Sequence, residues 1–283
     1  MGSQDNNTKM ANSLSNLHED LINDAVRDLV DESVFLGELP PIIFQGTNFG
    51  YTSGGIHAPN VPGTYSNVID KFPFASDGNA TDVGNLTAGR FSPAGQSSTV
   101  SGYSSGGYVG PINSNVIDKF PFATDGNATD VGDLTAAGYY AAGQSSAANG
   151  YGYSSGGYVS FYSNVIDKFP FASDANATDV GDITIGRSQS AGQSSFESGY
   201  CSGGNPYTNR IDKFPFASDA NATDVGDLTG NKIEVAGQSS NVSGYTSGGS
   251  INPTTRSNVI EKFPFSTDAN ATDVSDLTVA RRA

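Results

Sequence analysis

Apolar residues in this chain come in short bursts that return at long, regular intervals. Val68, Ile69 and Phe72, within Asn-Val-Ile-Asp-Lys-Phe-Pro-Phe, are typical of a buried strand. The tetrapeptide Lys-Phe-Pro-Phe begins at Lys71, Lys119, Lys168, Lys213 and Lys262, in steps of 48, 49, 45 and 49 residues. A second phrase, Gly-Tyr-x-Ser-Gly-Gly, begins at Gly50, Gly102, Gly152, Gly199 and Gly244. A third, Ala-Gly-Gln-Ser-Ser, has its glycine at Gly95, Gly143, Gly192 and Gly237, with a degenerate version at Phe44-Gln45-Gly46. The stretch Ala80–Thr87 and its copies supply a fourth strand, and Gly, Asp, Asn and Ser punctuate the joins as turns require. Pro73 and its equivalents lack an N–H and belong at a strand end or bulge.

Four short strands repeated five times at a period near 48 predict an all-β, five-bladed β-propeller over residues 42–283. An open solenoid is the alternative, but it needs polar end caps, whereas the apolar Ile42-Ile43-Phe44 would supply the first strand missing after Arg281-Arg282-Ala283 and close a ring. The pattern changes upstream. Leu14, Leu17, Leu21, Ile22, Val26, Leu29 and Val30 form the stripe of a short amphipathic N-terminal helix, within a helix-and-linker segment 14–41. Residues 1–13 are polar, and disorder is expected there. The helix would pack on the propeller, associate with a second copy, or dock into a larger assembly.

Composition refines this picture. Leu, Ile, Val and Phe together make only about 21% of the chain, near the boundary of disorder, so the repeats must carry folding. The formal charge of −15 opposes phosphate binding, which excludes nucleic acid as an expected partner. No run of 18 apolar residues encodes a membrane span, and the polar N-terminus predicts no signal peptide. One cysteine, Cys201, allows no internal disulfide, and two histidines, His18 and His57, assemble no metal cluster. No catalytic triad, P-loop or dinucleotide fingerprint occurs, and the carboxylates repeat in every unit where a catalytic pair should be unique. No enzymatic activity, cofactor or metal is therefore expected.

Spacing identifies a variable face. From each repeated Lys to the next Ala-Gly-Gln glycine the distance is always 24 residues, whereas from Gly-Gly to the following Lys it is 16, 12, 11, 9 and 13. The variable second-to-third connection and the variable fourth-to-first connection share one face of an antiparallel disc. That face is expected to hold Tyr108, Tyr139, Tyr140, Tyr158, Phe161, Tyr162 and Tyr207, with Arg90, Arg187, Arg210, Lys232 and Arg256. Tyr and Arg dominate recognition hot spots, and aromatic rings stack on sugars. Simple drift of exposed loops is the competing explanation. The opposite face concentrates loops such as Asp77-Gly78-Asn79-Ala80-Thr81-Asp82, which suit either turn capping or Ca²⁺. The repeated lysines, each beside an acid, suggest a structural tie to a neighbouring blade.

The period, the Gly106-Gly107 pair, the Phe120-Pro121 phrase and Arg90, Arg187 or Arg281 before the next unit resemble the kelch repeat. The chain departs from it in lacking Trp, so the expected fold is kelch-like. The phrase Phe-Pro-Phe-x-[Ser/Thr]-Asp-x-Asn-Ala-Thr-Asp-Val is similar to repeats in virion proteins of marine bacteriophages. That resemblance implies a virion structural protein, attached to itself or to other virion proteins by the N-terminal helix, with its variable face on a host-surface glycan or neighbouring virion protein. A free lectin-like or scaffold propeller of bacterial, cytoplasmic origin is the alternative.

Overall fold

The computed structural model describes residues 48–56 and 65–282. The expected N-terminal helix, residues 1–13 and the Phe44-Gln45-Gly46 strand lie outside the described residues, as does His57. The described chain is all-β, a five-bladed β-propeller with no helix among the described residues. Blade 1 shows β1 (Phe49–Ser53), β2 (Val68–Pro73) and β3 (Thr81–Asn85). Blade 2 follows with β4 (Ala94–Ser97), β5 (Ser101–Ser105), β6 (Val116–Pro121) and β7 (Thr129–Asp133). Blade 3 comprises β8 (Ala142–Ser146), β9 (Tyr151–Ser155), β10 (Val165–Pro170) and β11 (Thr178–Asp182). Blade 4 has β12 (Ala191–Ser194), β13 (Ser198–Ser202), β14 (Thr208–Pro215) and β15 (Thr223–Lys232). Blade 5 has β16 (Ala236–Ser239), β17 (Ser243–Ser247), β18 (Val259–Pro264) and β19 (Thr272–Asp276).

Every blade is an antiparallel meander in which the repeated Tyr faces the repeated Lys, as in Tyr103↔Lys119. The third strand ends at its proline in each blade, where the missing N–H breaks no ladder. Inner strands β4, β8, β12 and β16 approach backbone to backbone. A Cβ on Gly143 would strike the Gly95 carbonyl, one on Gly192 the Gly143 carbonyl and one on Gly237 the Gly192 carbonyl, so only glycine fits at these three positions. The adjacent glutamine then crosses to the next blade: Gln96 Nε2 donates to the Tyr153 carbonyl, and Gln144 Nε2 to that of Tyr200, each at 2.9 Å.

Hydrophobic cores are shared between blades. Tyr103 stacks on Phe171 at 4.8 Å and tilts against Phe169 at 5.5 Å, and the same triad recurs with Tyr51, Tyr153 and Tyr200. Pro170 spaces the two phenylalanines so that both rings meet the same tyrosine. Around each triad sit a buried Ile and Ala, such as Ile117 and Ala177. Outside it, four of the five repeated lysines reach the next blade's acidic loop, as expected from sequence: Lys71 meets Asp125, Lys119 Asp174, Lys168 Asp219 and Lys213 Asp268. The loop asparagine caps the preceding blade too, since Asn176 Oδ1 accepts from the Asp133 N–H at 3.1 Å. In the fourth strand Gly132 sits so close to the next blade that a Cβ would strike the Ala175 carbonyl.

Four blade–blade seams are built this way. Among the described residues the same contacts do not join blade 5 to blade 1. Strand β19 is exposed throughout, and Val274 is 47% exposed. On blade 1, Phe74 is 59% exposed where its blade 4 equivalent, Phe216, is 5% exposed. Ser275 in β19, which is exposed, replaces the glycine found at 84, 132, 181 and 226.

Candidate functional site: an aromatic face

The two variable connections do meet. Isolated bridges pair Phe91 with Tyr108, Tyr139 with Tyr158, and Tyr158 with Tyr162. These pairings line the rings up into a ladder crossing from blade 1 towards blade 4. Tyr65 contacts Phe91 and Tyr108 (ring centroids 6.4 and 5.6 Å apart), and Tyr108 contacts Tyr139 at 5.6 Å. Tyr139 touches both Tyr140 (4.9 Å) and Tyr158 (5.7 Å), and Tyr158 touches Tyr162 at 5.7 Å. Tyr162 closes the series by accepting from Asn205 Nδ2 at 2.9 Å. Several of these pairs meet edge to face, the favoured geometry of aromatic quadrupoles, which leaves parts of the ring faces to solvent. Phe161 beside the ladder is 66% exposed.

A second feature runs parallel to the ladder. Ser92, Tyr140, Gln189 and Glu234 occupy the same position in successive blades and have φ of 48, 61, 56 and 54°. Non-glycine residues in this left-handed region cost of order 1 kcal/mol each, and such strain concentrates at functional sites. Here it aligns the chain for blade-to-blade hydrogen bonds. Tyr140 N–H donates to the Ser92 carbonyl, Gln189 N–H to Tyr140 and Glu234 N–H to Gln189, at 3.1, 2.9 and 3.0 Å. Glu234 also accepts from Arg282, Gln189 and Ser250. Burial pushes the Tyr139 hydroxyl pKa up, and its tyrosine neighbours add in the same direction. Tyr140 is likewise raised by burial, against a hydrogen bond from Gln189. Both therefore stay neutral donors and acceptors at physiological pH.

The cations expected on this face divide into two groups. Arg90, Arg187 and Lys232 are not surface residues, being 1, 0 and 3% exposed. Each turns back into a seam and pairs with a buried acid: Asp118 at 2.9 Å, Asp212 at 3.0 Å and Glu261 at 2.6 Å. They fasten blades together and cannot touch a surface ligand. Arg210 is tied to Asp224 across β14 and β15, and Arg256 donates to the Pro253 carbonyl. Tyr207 is half-buried and makes none of the ladder's ring contacts. Sequence reasoning missed Tyr65 and Phe91. Phe91 holds the position of Tyr139 directly after the inter-blade connection, a signal that alignment of the units displays.

On the other face, the acidic loops are occupied with fold contacts. Asp125 binds Lys71, and Asp130 Oδ1 accepts from the Gly132 N–H. Among the described residues, no three His, Cys, Asp or Glu side chains converge as metal ligands do. Cys201 is fully buried, and its carbonyl accepts from Arg187.

Compared with models of protein families and with curated proteins, the chain matches none. The aromatic face must therefore speak through its own chemistry. Rings with free faces, phenolic hydroxyls, an amide and a carboxylate can stack on and hydrogen-bond a polyhydroxylated or protein surface.

Proposed function

We propose that the chain is a non-enzymatic structural protein of a bacteriophage virion, whose propeller presents the tyrosine ladder to a host-surface glycan or a neighbouring virion protein. One observation carries this reading: the connections that vary most in sequence assemble a contiguous run of tyrosines on one face. Tyrosine offers a large, rigid contact area and a polar tip, which suits recognition of sugar rings and of protein surfaces. The Gly-Gly pair and the period near 48 support a kelch-like propeller, and the Phe-Pro-Phe phrase supports the phage origin. Attachment to the particle is assigned in this reading to the amphipathic pattern of residues 14–36.

Two measurements test it. Purified particles should contain the chain by mass spectrometry; its absence from particles, with glycan binding retained, favours the free lectin-like propeller. On a glycan array, the triple substitution Tyr139→Ala, Tyr158→Ala and Tyr162→Ala should reduce binding by about thirtyfold or more, the loss of at least one hot spot. Unchanged affinity for glycans and virion proteins, in a variant that melts cooperatively, would remove the ladder from the function.

A further inference from the structure

The seam between blades 2 and 3 differs from the other three in one respect. At the seams of blades 1–2, 3–4 and 4–5, a buried acid meets a buried cation: Asp118 with Arg90, Asp212 with Arg187, and Glu261 with Lys232. Between blades 2 and 3 the acid is present as Asp167, 6% exposed, but the cation's position is Gly138. Thr135 donates to Asp167 through its N–H at 3.1 Å and its hydroxyl at 2.7 Å, as Thr87 does to Asp118. The acid's setting is thus intact and only its counter-ion is missing.

Val159 fills part of the vacated space, where a Cβ on Gly138 would strike it, and what remains is a cavity of ≈ 30 Å³, more than the roughly 10–15 Å³ that one water needs. Its lining repeats the Arg90 contacts. The Arg90 guanidinium donates to the Gly106 and Val116 carbonyls, to Thr87 Oγ1 and to Asp118 Oδ2, at 3.0, 3.1, 3.3 and 2.9 Å. The matching residues Gly156, Val165, Thr135 and Asp167 all line the cavity. Tyr139 and Val159 complete its wall, so it lies directly beneath the aromatic ladder.

We infer that this seam is a binding socket for a guanidinium group supplied by a ligand, which enters from the tyrosine face and replaces the arginine that the chain omits. At Arg90 the guanidinium fork reaches four acceptors at once, and at Arg187 it reaches Asp212 and the Cys201 carbonyl, which suits this lining to a guanidinium better than to a point-like ammonium. The other seams agree: both aspartates pair with Arg, and Lys appears only opposite the longer Glu261. Tyr139 is in the wall, and the net charge of −15 draws cations to the molecule. The socket needs neither a glycan nor a virion, so it stands or falls separately from the proposed function.

The probe is methylguanidinium chloride, whose methyl signal reports binding by saturation-transfer NMR, with thermal melting measured alongside. The wild-type chain should give a saturable signal and a raised melting temperature at millimolar concentration, with methylammonium clearly weaker. Asp167→Asn should lose the signal. In Arg187→Ala, which frees Asp212 and the Cys201 carbonyl, methylguanidinium should restore most of the lost melting temperature. An acetylated and amidated Gly-Arg-Gly peptide that binds as well identifies arginine on a protein as the source; binding of methylguanidinium and free arginine alone identifies a small molecule. Either result upholds the socket. Absence of a saturable wild-type signal, a signal that survives in Asp167→Asn, or rescue of Arg187→Ala without wild-type binding would each overturn it.

Discussion

Asp167 shows what one missing side chain does to its neighbours. Burial lifts its pKa above the ordinary carboxylate range and Asp179 adds to the rise, while the two Thr135 hydrogen bonds pull the other way. As pH rises, the unfolded chain releases this proton first and the folded chain holds it longer. Folded protein therefore carries the extra proton between the two pKa values, and stability falls across that window as pH increases. The cost is fully present above the folded pKa and vanishes below the unfolded value near 3.8. Asp167→Asn keeps an oxygen for the Thr135 N–H and an amide for its hydroxyl, but carries no charge. Its melting temperature should exceed that of the wild type at pH 7, and the gap should close as pH approaches 4. A gap that widens on acidification would show that the Asp167 charge is stabilised in place. At Asp118 the sign differs, because Arg90 is there: removing that acid alone strands a buried cation, at about 3–5 kcal/mol.

The working element is the seam rather than the blade. A single four-stranded meander has little core of its own; the Tyr–Phe–Phe triads lie between blades, each tyrosine from one and both phenylalanines from the next. Phe216→Ala should accordingly cost about 3–5 kcal/mol in chemical denaturation, as buried aromatics do. Phe74→Ala, at the same place in blade 1 but mostly exposed, should cost under about 1 kcal/mol. Equal losses would mean that both faces are covered in solution. Much of this element was legible in sequence. The four repeated phrases marked the strands and their order, and an acid beside every lysine suggested the tie between blades. The roles of Arg90, Arg187 and Lys232 were not legible. They sit in the variable connections, but their partners lie 28, 25 and 29 residues further on, in the next blade. Each of those acids sits at a register shift between the third and fourth strands, which strand periodicity does not announce. The left-handed residues at 92, 140, 189 and 234 were equally hidden, since Ser, Tyr, Gln and Glu announce no positive φ.

At the scale of the whole molecule, the described ends are unlike the middle. Ala128, Ala177, Ala222 and Ala271 are buried at 7–8% exposure, while Ala80 in blade 1 is exposed. Ala177→Arg should destabilise the protein by at least about 3 kcal/mol, because it buries an unpaired charge. Ala80→Arg should stay within about 0.5 kcal/mol of wild type. Calorimetry of the two variants decides the matter, and a large loss at Ala80 would reveal a fifth seam in solution. Ser275, in place of the glycine that the inner seams require, agrees with an uncrowded end.

The unlike counter-ions of the seams have a consequence for how the chain finds its structure. Units this similar invite misaddressed docking, in which a blade skips its neighbour and settles on the next one along. Hydrophobic triads give no protection, since every triad is the same. The ion pairs do discriminate: blades 1 and 3 offer an arginine to an aspartate, blade 4 offers Lys232 to the longer Glu261, and blade 2 has Gly138 at that position. Each blade thus carries a partial address for its successor, written in the length and charge of one side chain.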